Sequence, residues 1–368
     1  MSVAELIERK SVVVCAGAGG VGKTTSAAAI ALGMAERGLK TAVLTIDPAK
    51  RLANSLGLEQ LDNEPRRVAL DANGELWAMM LDAKSTFDGV VERYASSPES
   101  RDRILENRIY HQLSNAVAGS QEYMAMEKLY ELHESGEYDL LVLDTPPTRN
   151  ALDFLDAPER LHRFVDSRSL AFFMAPSRTG LKIFSRGTGL LFAALKRVTG
   201  VDLLQDISEF FGLFAEISDG FRERSRAVTQ LLENPATTFL LVTSPQRDAI
   251  DEVIYFRRSL RERKMPFGGV IVNRVHQEVA LEAEGEDVAE ELASLLEPKL
   301  ARRAALNFDD YRAISEQDRR NMERLEAELG SRDPLVLVPY FDEDVHDLSG
   351  LERMNEHLFA PDAAQTAA

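Results

Sequence analysis

The chain has 368 residues, enough for two domains or for one large α/β domain with an insertion. A formal net charge of −17 excludes a surface that attracts nucleic-acid phosphates. A single cysteine, Cys15, excludes an internal disulfide and any zinc site built from several cysteines of one chain, and it fits a reducing, cytoplasmic setting.

The first ten residues, MSVAELIERK, form a charged amphipathic stretch without the pattern of a signal peptide. No apolar run reaches the roughly 18–20 residues that span a bilayer, so any work at a membrane is expected to be peripheral. Short aliphatic and β-branched runs then follow at intervals, as buried parallel strands do. They are SVVVCAG at 11–17, TAVLTID at 41–47, ELWAMMLD at 75–82, YDLLVLD at 138–144, TTFLLVTS at 237–244, GGVIVNRV at 268–275 and PLVLVPY at 334–340. Helical patterns separate them, which predicts an α/β fold: a doubly wound, mostly parallel sheet with helices on both faces. Three stretches interrupt the alternation. Residues 83–136 are helical and polar, 156–233 helical and apolar, and 278–331 read as a pair of charged helices with a solvated outer face. The predicted organisation is one domain over 1–358 with helical insertions at about 83–136 and 156–233, then a disordered tail over 359–368.

Ligands of such sheets sit beyond the carboxyl ends of the strands. The first strand runs into Gly17, Ala18, Gly19, Gly20, Val21, Gly22, Lys23, Thr24 and Thr25, followed by the Ala-rich helix SAAAIALGMAER. This is GxxxxGK[ST] between a strand and a helix, the context a phosphate loop requires. Glycines let successive N–H groups point at phosphate oxygens, and the helix adds its positive N-terminus. Lys23 is expected on the β- and γ-phosphates of ATP and the Thr24 hydroxyl on Mg²⁺. The remaining loop residues, Gly19, Gly20, Val21, Gly22 and Thr25, are expected to line the nucleotide.

Three further strand ends carry polar residues. Asp144 ends LLVLD, where an acid near Mg²⁺ stands in phosphate-loop NTPases, although a helix cap is the plainer role. Asp47 ends the second strand ahead of Pro48; it either orients an attacking water or caps the next helix. Asn273 in VIVNRV donates and accepts at once, which suits an adenine edge or an Asx turn.

With these residues in view, the chain resembles the ArsA-like ATPases, the family of the arsenite-pump ATPase and of the ATPase that targets tail-anchored membrane proteins. Three segments carry the likeness: GAGGVGKTT at 17–25, DPAKRLANSLG at 47–57 and DTPPTRNALDFLDAP at 144–158. VNRV at 272–275 and VPYFDEDVHDLSGL at 338–351 resemble the family's adenine-pocket segments. The resemblance implies that Asp47 is catalytic and positions the hydrolytic water, with Lys23 holding phosphate. It implies that Asp144 lies in the outer shell of Mg²⁺, that Asn273 reads the adenine, and that Pro339 and Phe341 pack near the base. It also implies a dimer with nucleotide at the interface; with one phosphate loop, this chain is one half.

The chain departs from the family pattern in three places. The loop usually reads GKGGVGKT, with a signature lysine that reaches the partner's phosphates, and here that residue is Ala18. Either hydrolysis is slow, another cation such as Lys50 or Arg149 substitutes, or a paralogous partner in a heterodimer supplies the lysine. The paired zinc cysteines of the targeting ATPase and the metalloid cysteines of the pump are absent, so a metalloid-pump motor is disfavoured. Switch II reads TRN where the targeting ATPase carries Gly and His.

Residues 159–200 hold eight Lys or Arg against two acids, and Phe172, Phe173, Met174, Phe184, Phe192, Phe210, Phe211 and Phe214 supply apolar area around them. An internally packed lobe, a groove for hydrophobic helices and a membrane-docking surface all fit that composition. The expected function is therefore a Mg²⁺-dependent ATPase whose nucleotide state switches a homodimer or heterodimer acting on a hydrophobic client or membrane partner. The alternative is a nucleotide-binding regulatory subunit with little hydrolysis of its own.

Overall fold

The computed structural model describes residues 1–47, 51–108, 110–111, 120–145, 155–156, 220, 222–278, 285–330 and 333–361. Lys50, Arg149, the TRN segment and the basic, Phe-rich stretch to 219 lie outside the described residues, and with them the bulk of the second expected insertion.

Among the described residues eight strands form one sheet: β1 (Val12–Ala16), β2 (Lys40–Thr45), β3 (Arg66–Arg67), β4 (Glu75–Met80), β5 (Leu140–Asp144), β6 (Thr237–Thr243), β7 (Phe267–Val275) and β8 (Leu335–Pro339). Their order is β3-β4-β2-β5-β1-β6-β7-β8, and every neighbouring pair is parallel except β3–β4. The doubly wound fold is thus present, with β1 at the centre. The seven runs read as strands are strands; the antiparallel edge β3 is an addition.

The sheet is covered on both faces, which is why its central strands are apolar without alternation. Along β1 the side chains still point to opposite sides. Val12, Val14 and Ala16 enter one core with Leu141, Leu143, Phe239 and Val272. Val13 and Cys15 enter the other with Val43, Val142, Val242 and Ile271.

On the second face lies α2 (Lys23–Glu36), the helix that the phosphate loop opens into. Its run from Ala27 to Leu32 is buried without a polar stripe, as befits a helix clamped between the sheet and a second layer. That second layer includes α10 (Leu348–Leu358), capped by the Asp347 carboxylate on the Gly350 N–H at 2.8 Å. The close approach is permitted at Gly33, where a Cβ would stand 2.3 Å from the Phe359 ring. The Arg37 guanidinium covers the same ring at 3.9 Å. Phe359, expected at the start of a tail, is instead packed against this core.

The first face carries α6 (Ser120–Ser135), α7 (Arg247–Glu262) and α9 (Pro298–Leu329). Short α1 (Val3–Ile7) and α3 (Arg51–Ser55) pack on the α2 side, while α4 (Ala83–Tyr94) and α5 (Pro98–Glu106) sit beside α6. Within 83–136 the described helices are α4, α5 and α6, and within 278–331 they are α8 (Gly285–Leu292) and α9. A helical segment over 222–233 is joined to α6 by a buried ion pair, Arg224 Nε to Glu127 at 2.5 Å. Among the described residues no helix is long and apolar enough to cross a membrane.

Candidate functional site

A cavity of about 550 Å³ opens at the carboxyl ends of β1, β2, β5, β7 and β8. That size suits a mononucleotide. Gly20, Gly22, Lys23, Thr24, Thr25, Asp47, Asn273, Pro339 and Phe341, from four separate segments of chain, all line it. Gly19 and Val21 do not: Gly19 is exposed at the loop's outer edge, and Val21 is buried beneath it.

The loop's shape follows from its glycines. A Cβ on Gly17 would lie 2.0 Å from the Val242 carbonyl oxygen of neighbouring β6, so only glycine fits there. Gly22 caps α2 in the left-handed region, φ 96 and ψ 25. A Cβ on Gly22 would meet Asn273 Nδ2 at 2.3 Å. That proximity has a purpose, since Asn273 Nδ2 donates to the Val21 carbonyl at 3.0 Å and ties β7 to the loop. Asn273 therefore both lines the cavity and props up the loop.

Lys23 is 6% exposed, and its Nζ donates to the Ala18 carbonyl at 2.6 Å across the loop. Burial lowers its pKa, opposed by the nearby carboxylates of Asp144, Glu252 and Asp47. A desolvated ammonium held by one neutral acceptor is a strong site for an anion. Ala18 offers the site only its backbone carbonyl in this network.

Asp144 is 1% exposed at the end of β5, where the register sets it beside Thr45 of β2 and Cys15 of β1. Its Oδ2 accepts from Thr24 Oγ1 at 2.7 Å and from Thr45 Oγ1 at 2.8 Å. Burial pushes its carboxyl up to about 6, against the lowering effects of those two hydroxyls and of Lys23. Among the described residues its Oδ1 is buried without a partner. Next to it in sequence, Thr145 lines the cavity and ties its hydroxyl to the Cys15 carbonyl at 2.9 Å.

A divalent cation on triphosphate fits this arrangement. Hard cations take oxygen donors, and the Thr24 hydroxyl sits against a carboxylate whose second oxygen needs a donor such as a cation-bound water. Among the described residues no three His, Cys, Asp or Glu side chains group closely enough to hold a metal ion.

Pro339 ends β8, Tyr340 and Phe341 follow it, and all three line the cavity. Tyr340 stacks on His276 at 4.9 Å and 14°, and His276 Nδ1 lies 2.7 Å from Asp318 of α9. Phe341 lies under the Arg353 guanidinium at 4.8 Å and beside His357 of α10. The sequence did not single out Arg51, Thr145, Arg274, His346 or Met354, all of which line the cavity. Of these, Arg51, Thr145, Arg274 and His346 fall inside the segments that carry the family resemblance, whereas Met354 lies beyond them.

A central parallel strand, a glycine loop folded over a buried lysine, and a threonine hydroxyl on a strand-end aspartate define a phosphate-loop NTPase. The sequence signature of the anion-transporting ATPase family matches residues 10–290. The chain belongs to that family, and ATP binding and hydrolysis are its chemistry. It is 26% identical over 282 residues to the "ATPase ASNA1 homolog" of Babesia bovis, covering 76% of this chain and 71% of that protein. It is 24% identical over 363 residues to the "Putative arsenical pump-driving ATPase 1" of Aquifex aeolicus, covering 95% and 78%. A 33% identity over 172 residues links it to the "Putative arsenical pump-driving ATPase" of Halobacterium salinarum, covering 45% of this chain and 26% of that protein.

Proposed function

We propose that this chain is a Mg²⁺-dependent ATPase whose nucleotide state switches the association of two subunits. The observation that carries this reading is the Thr24–Asp144 hydrogen bond at 2.7 Å beside a buried Lys23, with Asp144 Oδ1 left for a further donor. In this reading Lys23 leaves the Ala18 carbonyl for the β- and γ-phosphates. Thr24 ligates Mg²⁺, Asp144 holds a water of its outer shell, and Asp47 orients the attacking water. Thr25, Gly20 and Gly22 hold phosphate, while Asn273, Pro339 and Phe341 hold the base. Mg²⁺ supplies neutralisation of the charge that develops on the phosphoryl oxygens.

The resemblance supports a dimer, formed with a second copy or with a paralogue carrying the lysine that Ala18 replaces. A cytoplasmic setting and a hydrophobic client or membrane surface belong to the same reading. Ala18 also favours a second reading, a nucleotide-binding regulatory subunit with little turnover alone, because it brings no side-chain cation to the loop.

ATP turnover of the purified chain, alone and mixed with a phosphate-loop paralogue, separates the two. The enzyme reading expects Mg²⁺-dependent turnover, in one or both conditions, that Lys23→Ala abolishes. Turnover only on mixing, and only when the paralogue keeps its lysine, makes the active species heteromeric. Nucleotide binding without turnover in any condition rejects the enzyme and leaves the regulatory subunit.

A further inference from the structure

Strand β7 changes register against β8 just before the cavity. Val270, Ile271 and Val272 pair with Leu335, Val336 and Leu337, but Val275 pairs with Pro339. Asn273 and Arg274 together therefore stand opposite Val338 alone, which is a β-bulge. Arg274 takes φ 63, the left-handed region. Among the described residues one other non-glycine does so, Lys264, which follows the end of α7, where helix ends commonly need that conformation. Arg274 does it inside a strand, where a long side chain is strained.

The bulge has a geometric result. In a regular strand, neighbouring side chains point to opposite faces. Here two consecutive side chains reach consecutive residues of the same loop. Asn273 Nδ2 donates to the Val21 carbonyl at 3.0 Å, and Arg274 Nη1 donates to the Gly20 carbonyl at 3.3 Å. Asn273 is buried, whereas Arg274 is exposed and lines the cavity with Lys23 and Arg51. A single long hydrogen bond to a carbonyl uses little of a guanidinium that carries five donors. The cavity also contains Asp47, Glu343 and Asp344, so a polyanion entering it needs more positive charge than Lys23 brings.

We infer that Arg274 is a phosphate-binding residue of this site: the β7 bulge re-aims its guanidinium over the loop to grip the nucleotide's polyphosphate in the same subunit. The inference rests on the ATP reading of the cavity. It assigns Arg274 to the phosphates, not to the base held by its neighbour Asn273.

Calorimetric titration of the full chain with Mg²⁺·ATP, ADP and adenosine tests it, using Arg274→Gly and Arg274→Lys. Glycine adopts φ 63 without strain, so Arg274→Gly should melt no lower than wild type and its binding can be compared directly. The expected result is a loss of about 10- to 100-fold in ATP and ADP affinity with adenosine unchanged. The salt dependence of ATP binding should also flatten. Lysine should restore part of the loss, as a cation without the planar fork. Unchanged ATP affinity in a stable Arg274→Gly protein overturns the assignment, as does an equal loss for adenosine, which would make Arg274 a wall of the base pocket. If wild type itself binds no ATP, the site reading fails with it, a result distinct from either of these.

Discussion

Asp144 is the residue on which the site's behaviour with pH turns. Its carboxyl titrates at about 6 in the folded chain because burial disfavours the charge more than Thr24, Thr45 and Lys23 favour it. A folded pKa above the unfolded value means that the native state binds the proton more tightly. This group therefore stabilises the ligand-free fold at low pH, and that contribution is lost as pH rises through about 6. The magnitude is on the order of 3 kcal/mol. Ligand binding runs the other way, since a cation-bound water needs the ionised form. Mg²⁺·ATP affinity should fall as pH drops from about 7 to about 5, while the ligand-free melting temperature rises from this group. Asp144→Asn should remove both slopes and lower Mg²⁺-dependent affinity or turnover by about 10- to 100-fold. Melting curves and titrations across that range check it. Parallel pH slopes in wild type and Asp144→Asn would show that another group is responsible.

At the scale of elements, the site depends on α10 as much as on the loop. This helix packs Leu351 and Met354 into the second core, and Met354 also lines the cavity near Phe341. Leu351 is fully buried, so Leu351→Ala should cost about 2–5 kcal/mol of stability. It should also weaken nucleotide binding, because the wall that carries Phe341 loses its backing. Leu295→Ala, at an 81% exposed position, should stay within about 0.5 kcal/mol of wild type. Denaturant titration of both gives the comparison. The strands that build the sheet were legible because each is a short apolar run set between helical patterns, and Lys23, Thr24 and Asp144 were legible because a motif or a strand end fixes their place. Two-residue β3 was not, since Arg66 and Arg67 carry no apolar signal and exist as a strand only by pairing with Ala78 and Trp77. The bulge at Asn273 and Arg274 was hidden for the same reason: it is a property of how β7 meets β8, and VNRV reads as plain strand. Phe359 reads as the start of a tail because the sequence after it turns to Ala, Pro and Asp, while its partners, Gly33 and Arg37, lie more than three hundred residues earlier.

For the molecule as a whole, the acidic balance bears on the proposed dimer. Each chain carries −17, and bound nucleotide adds negative charge, so two subunits meeting at their nucleotide sites repel one another at long range. Only short-range contacts that nucleotide organises can overcome this. Screening works in their favour, because the Debye length falls from about 30 Å at 0.01 M salt to about 10 Å at 0.1 M. Association should therefore require nucleotide and should strengthen, not weaken, as salt rises from about 0.02 M to about 0.2 M. A dimer held mainly by opposite charges across the interface would do the reverse. Sedimentation velocity with Mg²⁺ and a slowly hydrolysed ATP analogue, over that salt range, reads the balance directly. A monomer under every condition, with a lysine-bearing paralogue present as well, would remove the dimer from the proposed function. A dimer that forms equally well without nucleotide would remove the switch and keep the dimer.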